Sequence, residues 1–135
     1  MKVVINACFG GFSISHDAVM MYAKLKGITL YPYVSDSKDL YKMIPYLPSN
    51  KDAWCIHYFT KPVREDNLPH DDSYFSPRDI ERNDPILIQV VEAMGEKANG
   101  GCASLKIIEI PDNVKWHVED YDGMEHIAED HQTWS

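Results

Sequence analysis

Cysteine, basic charge and long apolar runs are all scarce in this chain. Cys8, Cys55 and Cys102 are odd in number, widely spaced and without a CxxC pair. That argues against a disulfide scaffold or a zinc ribbon and predicts reduced thiols in a cytoplasm. No apolar run approaches the roughly 18 residues that span a bilayer. The opening Met-Lys-Val-Val-Ile-Asn is too short in its apolar part for a secretory leader and reads as a strand. Arginine and lysine number 13 against 21 acids, a net charge of −8, which argues against direct binding to nucleic acid or to an anionic membrane. There is no internal repeat and no low-complexity tract. Walker A, GxGxxG, GxSxG and HExxH patterns are all missing. The residues therefore identify no catalytic group and imply no cofactor.

What the chain does have is an unequal distribution of charge. Residues 109–135 hold eight carboxylates and one cation, Lys115, whereas residues 1–108 are nearly balanced, with 13 acids and 12 bases. The acidic segment is not a solvated brush, because Ile110, Val114, Trp116, Val118, Tyr121, Met124, Ile127 and Trp134 run through it. A folded acidic surface attracts cations and basic protein patches. With 44% apolar and 25% charged residues, the 135-residue chain has the composition of one globular domain with a core of its own.

The pattern predicts a mixed α/β or α+β fold, residues 1–135 forming a single domain of about five strands and three or four helices. Residues 2–8 form a β-branched run that Gly10-Gly11 breaks. Ser13 or Ser15 caps a helix carrying Ala18, Met21, Tyr22 and Leu25, with Gly27 as its stop. Ile28–Val34 reads as a strand that Pro32 assigns to an edge. Ser37–Leu47 is ambiguous, with a helical period that Pro45 limits. Trp54–Phe59 is a third strand candidate, and residues 60–75 form a long loop. Ser76-Pro77-Arg78-Asp79 and Asp84-Pro85 each carry a cap followed by a proline. The second pair opens the best helix, with Leu87, Val90, Val91, Met94 and Ala98 as its stripe and Asn99-Gly100 as its end. Leu105–Ile110 and Val114–Tyr121 form a C-terminal β-hairpin across Pro111-Asp112-Asn113. In its second strand Val114, Trp116 and Val118 face inward, and Lys115, His117, Glu119 and Tyr121 face outward. A short helix from Met124 to about Gln132 follows.

Two groups of residues are candidate sites. Asn6, Cys8, Gly10, Gly11 and Ser13 form a strand, a glycine turn and a helix start, where backbone N–H groups and a helix N-terminus can hold a phosphate or nucleotide beside a thiol. The competing reading is a turn that needs glycine for its geometry, with a buried cysteine. Arg82, His117, Glu119, Tyr121, Asp122, Glu125 and His126 form an acidic, aromatic interaction surface. His117, His126 and His131 with Glu119, Glu129 and Asp130 are metal-ligand types, but none has metal-motif spacing, and the reading assigns no metal. Their ordinary reading is a solvated face with helical pairs such as His126 and Asp130. The paired acids Glu119/Asp120, Asp122/Glu125 and Glu129/Asp130 read the same way. Arg82 has two candidate roles, binding an anion or orienting the carboxylate of the Asp84 cap. Aromatics in residues 31–75, among them Tyr41, Trp54 and Tyr74, suit an interface as well as a core.

Arg82-x-Asp84-Pro85-x-Leu87, Gly95-Glu96-Lys97-Ala98-Asn99-Gly100, Cys102-Ala103-x-Leu105, Glu109-Ile110-Pro111, Trp116 and Tyr121-Asp122-Gly123-x-Glu125 resemble a family of small proteins encoded by tailed phages and prophages. The N-terminal Lys2-Val-Val-Ile-Asn-x-Cys-Phe-Gly-Gly-Phe-Ser is similar to it too, and residues 30–75 are not. The resemblance implies a bacterial-host cytoplasm and a small accessory role, without any catalytic residue. The chain departs at Gly101, Asp130 and Gln132, where the resemblance implies bases. Two functions are thus expected. One is a binding module that sequesters or inhibits a host protein through the acidic surface, with self-association as a further option. The other is a protein that binds a small anionic ligand, a nucleotide or phosphorylated compound, at the glycine turn.

Overall fold

The computed structural model describes residues 1–36, 38–39, 41–47 and 55–129. These form a mixed α+β fold of eight strands and two α-helices, in two compact units, Met1–Tyr22 with Pro77–Ser135, and Ala23–Ser76. No helix among the described residues is long and apolar enough to cross a membrane.

The first unit is built on β1 (Lys2–Asn6), whose Val3, Val4 and Ile5 are buried. β1 pairs antiparallel with β6 (Leu105–Glu109), Val3 opposite Ile108 and Ile5 opposite Lys106. The ladder alternates, so the N–H groups of Val4 and Asn6 point away from β6. Among the described residues, no strand meets them there. The Arg82 carbonyl accepts from Val4 at 2.8 Å, and the Glu125 carboxylate accepts from Asn6 at 2.9 Å. Helix α1 (His16–Lys26) starts after Ser15, whose hydroxyl accepts the Ala18 N–H at 3.2 Å, and ends at Gly27 with φ +80°.

Helix α2 (Pro85–Met94) packs on β1 and β6 and buries Leu87, Val90 and Val91. Its cap is Asp84, as its cap-and-proline signal requires: one carboxylate oxygen accepts from Ile86 and Leu87, the other from the Tyr22 hydroxyl at 2.7 Å. Burial, with this hydrogen bond to a carboxylate, raises the Tyr22 pKa well above its ordinary value. The helix stops at Met94 rather than at Asn99, because Gly95 adopts φ +58° and a 3-10 turn, Gly95–Ala98, follows.

The last 14 described residues overturn two expectations. β7 (Trp116–Tyr121) pairs with β8 (Met124–Glu129), not with β6, and Met124–Glu129 is a strand, not a helix. Asp122 at φ +51° and Gly123 at φ +89° make the two-residue turn between them. An Asp-Gly pair supplies the two positive φ values that a tight hairpin needs. The apolar residues Met124, Ile127 and Ala128 keep a helical spacing inside this strand, whose buried residue is Glu125, so the period misleads here and the turn residues mark the hairpin. The in/out assignment of β7 agrees with the structure: Trp116 and Val118 are half-buried, while His117, Glu119 and Tyr121 are exposed.

The second unit is a four-stranded antiparallel sheet in the order β3 (Met43–Pro45), β2 (Tyr31–Ser35), β4 (His57–Phe59), β5 (Tyr74–Phe75). Pro32 therefore lies in a central strand, not an edge. It sits where the β3 ladder runs out: the Tyr46 N–H donates to the Pro32 carbonyl at 3.0 Å, and no N–H is needed in return. Tyr33, Phe59 and Tyr74 stack edge to face, with 5.8 Å between successive rings. Residues 60–73 are a loop held by its own turns, with Arg64 paired to Asp66 and Asn67 and Asp72 at positive φ. In the first unit, Pro77–Asp79 is a 3-10 turn in place of a helix. The strands β3 and β5, of three and two residues, are too short to show a period, and with β8 expected as a helix they account for the difference between five strands and eight. Trp54, Asp130, His131, Gln132 and Trp134 lie outside the described residues.

Candidate functional site

The two groups of site residues, separated by some 70 residues of sequence, come together around Asn6. This side chain is fully buried and uses its whole hydrogen-bonding capacity. Its amide nitrogen donates to the carbonyls of Cys8 at 2.7 Å and Gly123 at 2.6 Å. Its amide oxygen accepts from the Ser104 N–H at 2.9 Å and from the Cys8 thiol at 3.4 Å. Asn6 thereby ties three turns together: the glycine turn after β1, the chain before β6, and the β7–β8 turn.

Glu125 is the second node. It is 7% exposed. One oxygen accepts both the Asn6 N–H and Arg82 Nη1, and the other accepts Arg82 Nη2 at 2.9 Å. The guanidinium lies with Cζ 3.5 Å from the centre of the Phe12 ring. Arg82 thus binds a carboxylate, as one sequence reading held, but the carboxylate is the chain's own. The Asp84 cap is steadied by Tyr22 instead. Both Arg82 and Glu125 turn inward, away from the exposed interaction face.

The glycine turn faces the β7–β8 turn. The Gly10 N–H donates to the Asp122 carbonyl at 3.1 Å. A Cβ on Gly123 would sit 2.7 Å from the Gly10 nitrogen and would collide with the Gly11 nitrogen. The side on which the two glycine amides lie is therefore covered by the hairpin. Strand β1 ends at Asn6 and α1 begins only at His16, so the glycine turn does not run straight into the helix start. Ser13 packs against Gly100, whose N–H donates to the Ser13 carbonyl at 3.1 Å. The single Cys8 S–H proton is shared between the Cys102 carbonyl at 2.9 Å and the Asn6 amide oxygen at 3.4 Å.

On the outer face of the hairpin, Glu119 accepts from both histidines, 3.0 Å from His117 Nε2 and 2.9 Å from His126 Nε2. His126 stands opposite Glu119 across the ladder, and His117 is two residues along the same strand. The histidine hydrogen bonds, His117 foremost, hold the Glu119 carboxyl below the usual carboxylate range. Among the described residues, no group of three or more His, Cys, Asp or Glu is placed to hold a metal ion. Tyr121 is 71% exposed, and Phe9, beside the Gly10–Asp122 hydrogen bond, is 59% exposed.

The inner face of the hairpin does not close fully on the β1–β6 ribbon. A groove of about 520 Å³ lies between them, lined by Ile108, Ile110, Val114, Trp116 and Ile127, with Glu129 at its rim. Each of those five apolar residues is only half-buried. Sequence reasoning placed Trp116 and Val118 inside and missed this groove. The available signal was the density of large apolar residues in a segment, 105–129, that also carries seven carboxylates and two lysines. No protein-family model, curated protein or solved structure matches this chain.

Proposed function

We propose that this chain is a protein-binding module whose contact region is the groove between the β1–β6 ribbon and the β7–β8 hairpin. The observation that carries the reading is the groove itself, lined mainly by apolar side chains, in the segment of the chain that carries most of the net negative charge. Half-exposed tryptophan and isoleucine side chains in a concave site are what a partner's apolar anchor buries. The surrounding acids select basic partners and speed their encounter. Taken with the resemblance to small phage and prophage proteins, the partner is a host protein that the module sequesters or inhibits. The alternative, an anion cradle at Asn6–Ser13, gains no support from the geometry, since the hairpin lies against Gly10 and Gly11.

The test is affinity capture from a bacterial lysate, followed by direct binding of the identified partner to purified wild-type protein and to Trp116→Ala. A partner held by the wild type, weakened at least tenfold by W116A and released at about 1 M salt, where the Debye length is near 3 Å, supports the reading. A partner bound equally by W116A, or a nucleotide that stabilises the protein while no partner binds, refutes it.

A further inference from the structure

We propose that the groove is filled by strand addition: an extended segment of another protein pairs with the open edge of β6 and carries lysine or arginine toward Glu129. The inference rests on the binding-module reading and specifies its partner. The register of β1 and β6 settles which groups are available. Ala7 and Ser104, Val3 and Ile108, and Met1 and Ile110 are the hydrogen-bonded pairs, so Ile107 and Glu109 direct their N–H and C=O groups away from β1. The outward N–H of Leu105 is taken by the Asn99 side chain at 2.9 Å. Among the described residues, nothing pairs with the outward groups of Ile107 and Glu109.

A strand laid along this edge places every second side chain on the face of Lys106, Ile108 and Ile110. That face is the wall of the groove, with Trp116 and Ile127 across from it. Backbone pairing and apolar filling are thus offered by the same five-residue strand, the combination that strand-addition sites use. The ribbon also gains from it, since β1 and β6 alone make a sheet of only two strands, and three or more make an independently stable one. Exposed charges commonly guard an edge against indiscriminate pairing. Here the charges on the groove side are Lys106 on β6 and Glu129 on β8, while Glu109 lies on the other face, opposite Lys2. The groove therefore accepts a segment whose basic end lies by Glu129 and repels one with an acidic end there.

The experiment selects random ten-residue peptides displayed against the full chain, then measures binding and amide hydrogen exchange with purified peptides. The expected binders alternate apolar and polar residues and carry Lys or Arg at one end. They slow exchange at Ile107 and Glu109, and they weaken about tenfold with Glu129→Lys, an exposed substitution that leaves the core untouched. Binders with helical spacing, or without protection at those two amides, overturn strand addition. If such binders are still lost with W116A, the groove reading survives. If no peptide is enriched, or if W116A changes nothing, both fail. Amides at Ile107 and Glu109 that are already protected without peptide, and released by Trp134→Ala, assign the edge to the chain's own end and also overturn the proposal.

Discussion

Replacing Glu125 by alanine removes more than an ion pair. Its carboxylate, with the side chain 5% exposed, holds the Arg82 guanidinium, 18% exposed, and the N–H of a fully buried Asn6. Alanine strands both donors. Breaking a buried pair from one side costs about 3–5 kcal/mol, because the remaining charge has lost its partner. The unsatisfied Asn6 N–H adds about 1–3 kcal/mol if no water reaches it. Arg82 is placed to swing toward solvent, which caps the sum near the lower figures, so about 4 kcal/mol is expected. At roughly 3–5 °C per kcal/mol for a chain of this length, the midpoint of thermal unfolding falls by about 12–20 °C.

The companion variants separate the two donors. Glu125→Gln keeps one oxygen for Asn6 and Arg82 Nη1 but sets an amide N–H against Arg82 Nη2, and costs about 2 kcal/mol through the lost bond and charge assistance. Arg82→Met with Glu125→Leu is the apolar replacement that often leaves stability unchanged at buried pairs. Here it still orphans the Asn6 N–H, so it costs about 1–3 kcal/mol. Urea unfolding of the four proteins measures these differences. If E125A lies within 1 kcal/mol of the wild type, or if the apolar pair is neutral, water already serves the Asn6 N–H and the node is not what closes the edge of β1.

Three other outcomes are expected. Gly123→Ala, which combines φ +89° with a Cβ driven into the Gly10 and Gly11 backbone, costs at least about 2–3 kcal/mol and shifts the Gly10 amide resonance; a variant as stable as wild type contradicts the close approach. Asp84→Ala removes the α2 cap and the Tyr22 partner and costs about 2 kcal/mol, whereas Tyr22→Phe costs about 1 kcal/mol and leaves the cap in place, both read by urea unfolding. Glu119 titrates below the ordinary carboxylate range by carbon-detected NMR. Being depressed, it supports the hairpin above the unfolded carboxylate pKa and loses that support as pH falls through the folded value; an ordinary pKa retained in His117→Gln and His126→Gln as well as in wild type would show that the histidines do not hold it.

Signals tied to one residue type at one position were legible in the sequence. Asp84-Pro85 gave the start of α2, Gly27 the end of α1, and the alternation of Trp116, His117, Val118 and Glu119 the two faces of β7. Partnership between strands was not legible. β6 looked like the first arm of a hairpin because β7 follows it closely, yet it pairs with β1 more than 100 residues earlier. Local spacing carries no information about a partner so far along the chain. The error over Met124–Glu129 had a different source. Met124, Ile127 and Ala128 satisfy a helical stripe, and the strand they form instead buries Glu125 against the apolar pattern. Only the Asp122-Gly123 turn decides between helix and strand, and it was available. The convergence of the glycine turn, Arg82 and Glu125 on Asn6 required the three-dimensional fold.

That convergence bears on how the hairpin keeps the groove open. β8 meets β1 through side-chain hydrogen bonds, Glu125 to Asn6 and Arg82, and through the Gly123 and Asp122 carbonyls, rather than through a ladder. A ladder would bring the strands to about 4.8 Å and close the space between them. A carboxylate standing in for a strand's carbonyl holds β8 a side chain's length away, at its Met124 end. At the other end, Trp116 and Glu129 form the last pair of the β7–β8 ladder and line the groove. The Asn6 node thus fixes the Glu125 end of the hairpin, while the Trp116–Glu129 end carries no such node. A partner that fills the groove acts on that end. Its binding stiffens the hairpin there without altering the buried node, so exchange at Val118 and Ile127 slows on binding while exchange at Asn6 stays as it was.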